Sequence, residues 1–337
     1  MKILSVIVPC YNAQDYMHAC IDSLLKGGDM LEIILVNDGS TDETAAIAEK
    51  YKEQFSERIQ VIHQKNKGHG GAINTGLKAA TGEFVKIVDS DDWVGEHALW
   101  ETIETLSAFA PEERPDMLIS NYVYEKVGKR RKTAIGYKNV FPTGRLFTWD
   151  ETKPFRLGQY MLMHALIYRR TILEKSKLKL PEHTFYVDNL YAYVPLAKVE
   201  TLYYLNVDLY HYFIGREGQS VHEQTMIRRI NQQLAVNSMM IRTVDLTKIL
   251  SSKKRRYLVH YLEIVTAVSS VLLIKEGSAE SLEKKDVLWR TLKEQDPNLY
   301  DSLLRRFLGR FLYPRAWVMQ RLALFVYYVS RLVVGFN

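Results

Sequence analysis

Three carboxylates fall within four residues at Asp89-Ser90-Asp91-Asp92, directly after the run Phe84–Val88. Charges grouped at a strand end repel one another, and folding gains nothing from bringing them together. A hard divalent cation, Mg²⁺ or Mn²⁺, bridging to phosphate oxygens would relieve the repulsion, and the bland alternative is an exposed acidic turn. A second group, Lys65-Asn66-Lys67-Gly68-His69-Gly70-Gly71, precedes the helical stretch Ala72–Ala80. Glycines and cations at a helix start make an anion site from exposed N–H groups, the positive dipole end and nearby lysine. The stretch lacks the GK[ST] ending of a Walker loop, and a flexible turn is the competing reading. In Asn37-Asp38-Gly39-Ser40-Thr41-Asp42, helix capping explains Ser40, Thr41 and Asp42. Capping leaves Asp38 unexplained, and its carboxylate could accept a hydrogen bond from a nucleobase N–H. Pro9-Cys10-Tyr11-Asn12 offers a ring and an amide where a planar base could sit, or else a turn with a surface tyrosine.

These groups need elements that hold them at one edge. Ile3–Val8, Glu32–Val36, Ile59–His63 and Phe84–Val88 read as buried strands, the first stopped by Pro9. Between them Ala13–Leu25, Asp42–Phe55 and Gly71–Ala80 have helical spacing. Strands alternating with helices imply an α/β fold, a mostly parallel sheet with helices on both faces. Ligands of such sheets bind beyond the carboxyl ends of the strands, where all four chemical groups lie. Residues 111–220 are less regular, with Met117–Tyr124 strand-like and Glu125–Lys138 a basic connector. Beyond Ser220 the pattern is helical over Thr225–Leu250, Arg255–Lys275, Ser281–Gln295 and Leu303–Val334, punctuated by Gly277-Ser278 and Asp296-Pro297.

Composition removes several function classes. The 337 residues carry 45 Lys plus Arg against 39 Asp plus Glu, and all of the +6 excess lies in residues 302–337. Those hold six arginines (305, 306, 310, 315, 321, 331) and no acid or lysine. A neutral body argues against nucleic acid. Cys10 and Cys20 are too few for a disulfide framework and read as reduced, buried residues of a cytoplasmic protein. No signal peptide is expected, and no segment reaches the roughly 20 apolar residues of a spanning helix.

With the motifs in place, SVIVPCYNAQDYM, VNDGSTDET and NKGHGGAINTGLKAATGEFVKIVDSDDW resemble the donor-binding half of family 2 glycosyltransferases. The resemblance implies the Rossmann-like GT-A fold, a nucleotide-sugar donor and inversion at the transferred sugar. It implies a glycosyltransferase domain over 1–220, donor half 1–110 and acceptor half 111–220, and a helical region over 221–337. Asp38 would contact the uracil of a UDP-sugar beside Pro9, Tyr11 and Asn12. Asp89 and Ser90 would lie by the ribose and diphosphate, Asp91 would hold Mn²⁺ or Mg²⁺, and Asp92 would support that site. Where the family often has arginine in an ARNTG-like segment, this chain reads Ala72-Ile73-Asn74-Thr75-Gly76, so a phosphate or sugar contact falls to Lys65, Lys67, His69 or the backbone at Gly71. The catalytic base that the resemblance implies is Asp188, in Phe185-Tyr186-Val187-Asp188-Asn189, with Val187 where the family has Glu. Apolar flanks could raise its pKa toward a useful value, while the alternative is a helix cap. Tyr210–Ser220 resembles a segment that closes over the donor, making His211 a candidate third metal ligand and Arg216 a phosphate partner. His164 could line the acceptor site.

The arginine-only end, divided by Pro314, reads as a weakly amphipathic apolar helix. It would meet an anionic membrane interface or pack on the body or a second subunit. The expected function is transfer of a sugar from a UDP-sugar to a hydroxyl of a cell-surface glycan or lipid-linked acceptor in a bacterial cell. The alternatives are a nucleotidyltransferase using a metal-bound nucleotide and a non-catalytic nucleotide-binding assembly protein.

Overall fold

A computed structural model describes the chain except residues 1, 127, 129–131, 216–221, 314–316 and 335–337, with backbone alone at 307, 308, 317, 323, 326 and 329–334. The chain forms two compact units, Met1–Ile214 and Gly215–Asn337.

The first unit is built on a ten-stranded sheet. Its strands are β1 (Leu4–Cys10), β2 (Leu31–Asn37), β3 (Ile59–His63), β4 (Phe84–Ile87), β5 (Trp93–Val94), β6 (Met117–Lys126), β7 (Thr133–Ile135), β8 (Leu146–Thr148), β9 (Leu166–Arg169) and β10 (Thr201–Ile214). The main path runs β3-β2-β1-β4-β9-β6-β10-β5, with β7 beside β6 and β8 beside β10. The first four strands are mutually parallel, as their alternation with helices requires. β9 enters antiparallel to both β4 and β6, and so joins the regular first half to the irregular second. The helices are α1 (Met17–Leu25), α2 (Thr44–Gln54), α3 (Gly68–Ala79), α4 (Glu96–Ala108), α5 (Arg170–Ser176) and α6 (Asp188–Tyr193).

Pro9 does not stop the first strand, which continues through it to Cys10 in register with β2. Val88 donates to the carbonyl of Ile7 on the β4 side, whereas Asp38 donates to that of Cys10 on the β2 side. Pro9 is in phase with Ile7, so its missing N–H faces β4 and the next rung cannot form. The β1–β4 ladder ends at Ile7, and the strand ends part where the carboxylates begin.

The glycine-rich stretch lies inside α3 rather than ahead of it, and a crossing segment accounts for its composition. Residues 180–183 pass over the start of α3, where His183 N–H donates to the Lys67 carbonyl at 2.8 Å. The Asn74 amide donates to the Leu180 carbonyl at 2.8 Å and accepts its N–H at 3.0 Å, replacing a strand partner for that backbone. A Cβ on Gly70 would stand 2.5 Å from the Pro181 carbonyl oxygen, and one on Gly68, at φ +74°, 2.8 Å from the His183 nitrogen. Close backbone approach is what these two glycines admit.

The second unit is helical: α7 (Glu223–Arg228), α8 (Ile230–Thr243), α9 (Ser252–Glu276), α10 (Ala279–Gln295), α11 (Pro297–Arg305), α12 (Phe307–Leu312) and α13 (Trp317–Val334). Ser251, Ser278 and Asp296 each cap a following helix through the side chain, and Gly277 closes α9 at φ +78°. The single helix expected over 303–334 is three pieces. α9 is long and apolar enough to cross a membrane, contrary to the expectation of no such segment. Yet 83% of its apolar window is buried, so it serves as a core helix. Arg306 spends its charge on Glu263 at 2.6 Å, and buried Lys285 donates to the carbonyls of Leu312 and Tyr313, closing the end of α12.

Gly70→Ala should lower stability by about 1–3 kcal/mol, because the new methyl cannot be relieved without displacing the crossing backbone. The midpoint of urea unfolding measures this, with Gly144→Ala unsuitable as a control because Gly144 sits at φ +72° and Ala79→Gly serving for intrinsic helix propensity.

Candidate active site

The site is assembled from loops at the carboxyl ends of β1, β2, β3 and β4, closed by β10 and the segment leading into α6. The first two loops are laced to each other. Asn12, held at φ +48°, accepts from the Thr41 N–H at 2.9 Å, and its own N–H donates to the Ser40 hydroxyl at 3.0 Å. Asn12 therefore ties the loops together, while the neighbouring Tyr11 ring is 55% exposed and presents its face to solvent. Pro9 is buried in the strand beneath.

Asp38 is buried, and one carboxylate oxygen accepts from the Lys67 N–H at 2.8 Å and the Gln64 amide at 2.6 Å. Gln64 is itself aimed by the Thr75 hydroxyl at 2.6 Å. The third loop thus orients Asp38, and Gly39 (φ +73°) admits it, since a Cβ there would meet the Asn66 nitrogen at 2.8 Å. The Lys67 ammonium stands 3.9 Å from Glu182, and Gly71 is buried in the first turn of α3.

The carboxylates after β4 have three different environments. Asp92 is fully inside: it accepts from the Tyr210 hydroxyl at 2.5 Å and from the Phe213 N–H at 2.7 Å. The same hydroxyl accepts from the Asp89 N–H at 3.2 Å, so Tyr210 clamps the whole turn to β10. Register shifts in the β6–β10 ladder just before Tyr210 turn it toward the loop. Asp89 accepts from His69 Nε2 at 2.8 Å. Burial opposes its ionisation, but the His69 imidazole, with His164 beyond, holds Asp89 below the ordinary carboxylate range. Burial likewise works against charge on His69, yet Asp89 first, then Asp188 and Asp91, raise its pKa. Asp91 and Ser90 are partly exposed at the mouth.

Asp188 is the first residue of α6, behind the cap position of Val187, and the backbone N–H groups of Asn189 and of Asp188 itself bond its carboxylate. Tyr186, at φ +67°, makes the turn that delivers it. Burial raises its pKa to about 6, with His69 opposing and Asp89 reinforcing the shift. His69 thus sits between the carboxylates of β4 and a carboxylate far downstream, and the crossing of α3 by 180–183 brings them together.

His211 is engaged elsewhere. Its Nδ1 pairs with Glu125 at 2.8 Å and its ring stacks on Trp93 at 5.6 Å. Among the described residues no three His, Cys, Asp or Glu side chains converge as a metal-holding group. Arg216 lies outside the described residues. Tyr210 and His69 carry more of the site than their sequence signals suggested; the histidine's place between glycines was the one visible hint.

Residues 5–172 match the family model described as glycosyl transferase family 2. The putative glycosyltransferase EpsH of Bacillus subtilis is 29% identical over 251 residues, covering 68% of this chain and 64% of that protein, so the chain aligns with less than two thirds of that relative. The crystal structure of residues 1–349 of Staphylococcus aureus TarS in complex with UDP-GlcNAc has a TM-score of 0.71 at 23% identity, covering 96% of this chain and 88% of that one. The mannosyltransferase PcManGT of Pyrobaculum calidifontis, in complex with GDP-Man and Mn²⁺, has a TM-score of 0.53 at 16% identity, covering 98% and 86%.

Tyr210→Phe should strand a buried carboxylate and an amide at once, costing about 1–3 kcal/mol. Urea unfolding measures the loss, which Tyr212→Phe, whose hydroxyl has no part in this clamp, should not reproduce.

Proposed function

Because the chain belongs to glycosyl transferase family 2 through residues 5–172 and has its GT-A sheet, we propose that it transfers a sugar from a UDP-sugar to a hydroxyl, with inversion at the transferred carbon. The observation that carries this reading is the meeting of Asp89, Asp91 and Asp188 around His69, with Asp38 and the Tyr11 ring along the same sheet edge. A donor fits that edge in one direction. Its base lies by Tyr11 and Asp38, whose second carboxylate oxygen is left for a uracil N–H. Its ribose lies by Asp89 and Ser90, and its diphosphate by Asp91 and Lys67. The UDP-GlcNAc bound by TarS supports the choice of uridine.

The donor set suits a hard divalent cation held jointly with phosphates. Asp91 is a partly exposed carboxylate at the end of β4, while Asp92 is bonded to Tyr210 and Phe213 and Asp89 to His69. Mg²⁺ and Mn²⁺ are commonly held by one or two carboxylates plus substrate oxygens, so a sparse protein shell fits. Bound there, the cation would neutralise charge developing on the leaving diphosphate. Asp188 accepts the proton of the acceptor hydroxyl, whose oxygen bonds to the anomeric carbon as the bond to phosphate breaks on the opposite side. The bound proton stays on Asp188 until product leaves. Asp92 and Tyr210 keep the turn rigid while charge moves.

The acceptor class is a cell-surface glycan or a lipid-linked oligosaccharide, and the site of action the cytoplasmic face of a bacterial membrane. On α13, Val318, Leu322 and Phe325 are exposed at spacings of one helical turn, beside exposed Arg321. This stripe would meet an anionic membrane or a second copy of the chain. Flotation with anionic vesicles, set against sedimentation of the protein alone, separates the two.

Incubation with a panel of nucleotide sugars and Mn²⁺ should release UDP. Absence of release from every donor, with no UDP binding in calorimetry, would sink the proposal. Asp188→Asn should lower turnover by about 10²–10⁴-fold, the usual worth of a general base, with UDP affinity unchanged. Since Asp188 must be ionised to act and its pKa is raised to about 6, kcat/KM should be level above that pH and fall tenfold per unit below it. Asp91→Ala should abolish stimulation by Mn²⁺.

A further inference from the structure

If the leaving diphosphate lies at Asp91 and the attacking hydroxyl at Asp188, the transferred sugar occupies the gap between them. Its reacting carbon must face both. The groups around that gap include His69 and, on the side of β6 and β10, a wall of aromatic rings. Tyr124 and Tyr212 lie 5.8 Å apart, and the fields of Asp89 and Asp188 both reach Tyr212. Set into this wall is His164, a residue with no part in the mechanism above.

His164 is immobilised from every side. Its ring stacks on Tyr210 at 4.5 Å and 15°, tilts against Tyr212 at 4.3 Å, and meets the edge of Tyr122 at 6.0 Å. Its carbonyl accepts from the ammonium of Lys86, itself fully buried, at 2.7 Å. Only 6% of the residue is exposed, yet Nδ1 has no hydrogen-bond partner among the described residues. Buried polar atoms are nearly always paired, so this unpaired one needs an explanation. A ring used only for packing would be served as well by phenylalanine, without the cost of an unpaired nitrogen.

The chemistry of the ring indicates what it would pair with. Burial, with Lys86 and His69 adding to it and Asp89 opposing, pulls its pKa down to about 4, so it is neutral in use. A neutral imidazole has one N–H and one lone pair. A sugar hydroxyl complements both, since it donates and accepts, whereas a phosphate offers only acceptors. Aromatic faces next to it suit the C–H surface of a sugar ring.

We propose that His164 is a ligand of the transferred sugar: its imidazole hydrogen-bonds a ring hydroxyl of the donor hexose against the Tyr212 ring, and so sets which sugar is accepted. The proposal rests on the donor reading above. A site built to pair with a hydroxyl discriminates strongly against donors that lack it or point it elsewhere.

His164→Phe keeps the stacked ring and its volume while removing both nitrogens, and His164→Gln keeps a donor and an acceptor. Calorimetry gives affinities for UDP and for the best UDP-sugar, and UDP release is followed with UDP-Glc, UDP-Gal, UDP-GlcNAc and UDP-GalNAc. For the Phe variant, UDP affinity should stay within about twofold of wild type, while UDP-sugar affinity and kcat/KM fall about tenfold, as for one lost hydrogen bond. The preference among the four donors should flatten, and the Gln variant should retain more of it. Undiminished UDP-sugar binding in the Phe variant would overturn the proposal, as would equal loss of UDP and UDP-sugar, the mark of a purely structural role. Should the Phe variant not fold, His164→Leu, which also removes both nitrogens, decides by the same comparison. Wild-type protein that binds neither UDP nor any UDP-sugar would instead overturn the donor reading, a result recognisable without any variant.

Discussion

The crossing of α3 by residues 180–183 is the constraint on which the site depends. Asp188 and the carboxylates after β4 belong to distant parts of the chain, and no hydrogen bond joins Asp188 directly to Asp89. What joins them is backbone against backbone. Asn74 closes two hydrogen bonds with Leu180, His183 reaches the Lys67 carbonyl, and glycine at 68 and 70 leaves the space. A side chain at either glycine would lift the segment and carry Asp188 away with it. The turn at Tyr186, in a conformation costly for a non-glycine residue, then fixes the last few ångströms of its approach.

Once the segment is seated, the electrostatics follow. Three carboxylates crowded at one strand end would repel, and the fold resolves this by giving each a separate fate. Asp92 is buried, where burial and then Asp91 and Asp89 push its pKa up while hydrogen bonds from β10 hold its oxygens, and Asp89 is paired with His69. Asp91 lies partly exposed at the strand end. The same histidine lowers the pKa that burial raises on Asp188, so that carboxyl is held near 6 rather than driven far higher. His69 thus acts on Asp89 by direct contact and on Asp188 through space.

Much of the first half was legible in the sequence because its signals are local. Buried parallel strands announce themselves as short apolar runs, and acids after β4 have no structural excuse. Asp188 was legible only through resemblance, since nothing within its own segment sets it apart from a helix cap. The misreadings have a common cause. Pro9 read as a strand end because the sequence does not say which neighbour its missing N–H faces. The packing role of glycines 68 and 70 was invisible because the segment that crosses them lies 106 residues away along the Asn74–Leu180 bond. Tyr210 stood out only as the start of a segment resembling one that closes over the donor, although its hydroxyl reaches Asp92 across 118 residues. Two strand insertions, β9 and β5, are antiparallel and short, and neither leaves a periodicity to detect. Long-range complementarity, not local propensity, was the missing information.

Dependence on such distant contacts separates two kinds of residue within one small volume. Tyr210 and Gly70 hold elements together, so changing them alters stability and chemistry in step. Asp188 and His164 are held by others: one follows the cap position of a short helix, the other has its ring and carbonyl gripped while Nδ1 is left unpaired among the described residues. Their removal leaves the gripping residues in place. A protein optimised only for stability would fill those two positions with a cap and an apolar ring, at no loss to the sheet. That it fills them instead with a carboxylate of raised pKa and an imidazole whose Nδ1 is unpaired among the described residues is what the folded chain alone does not require.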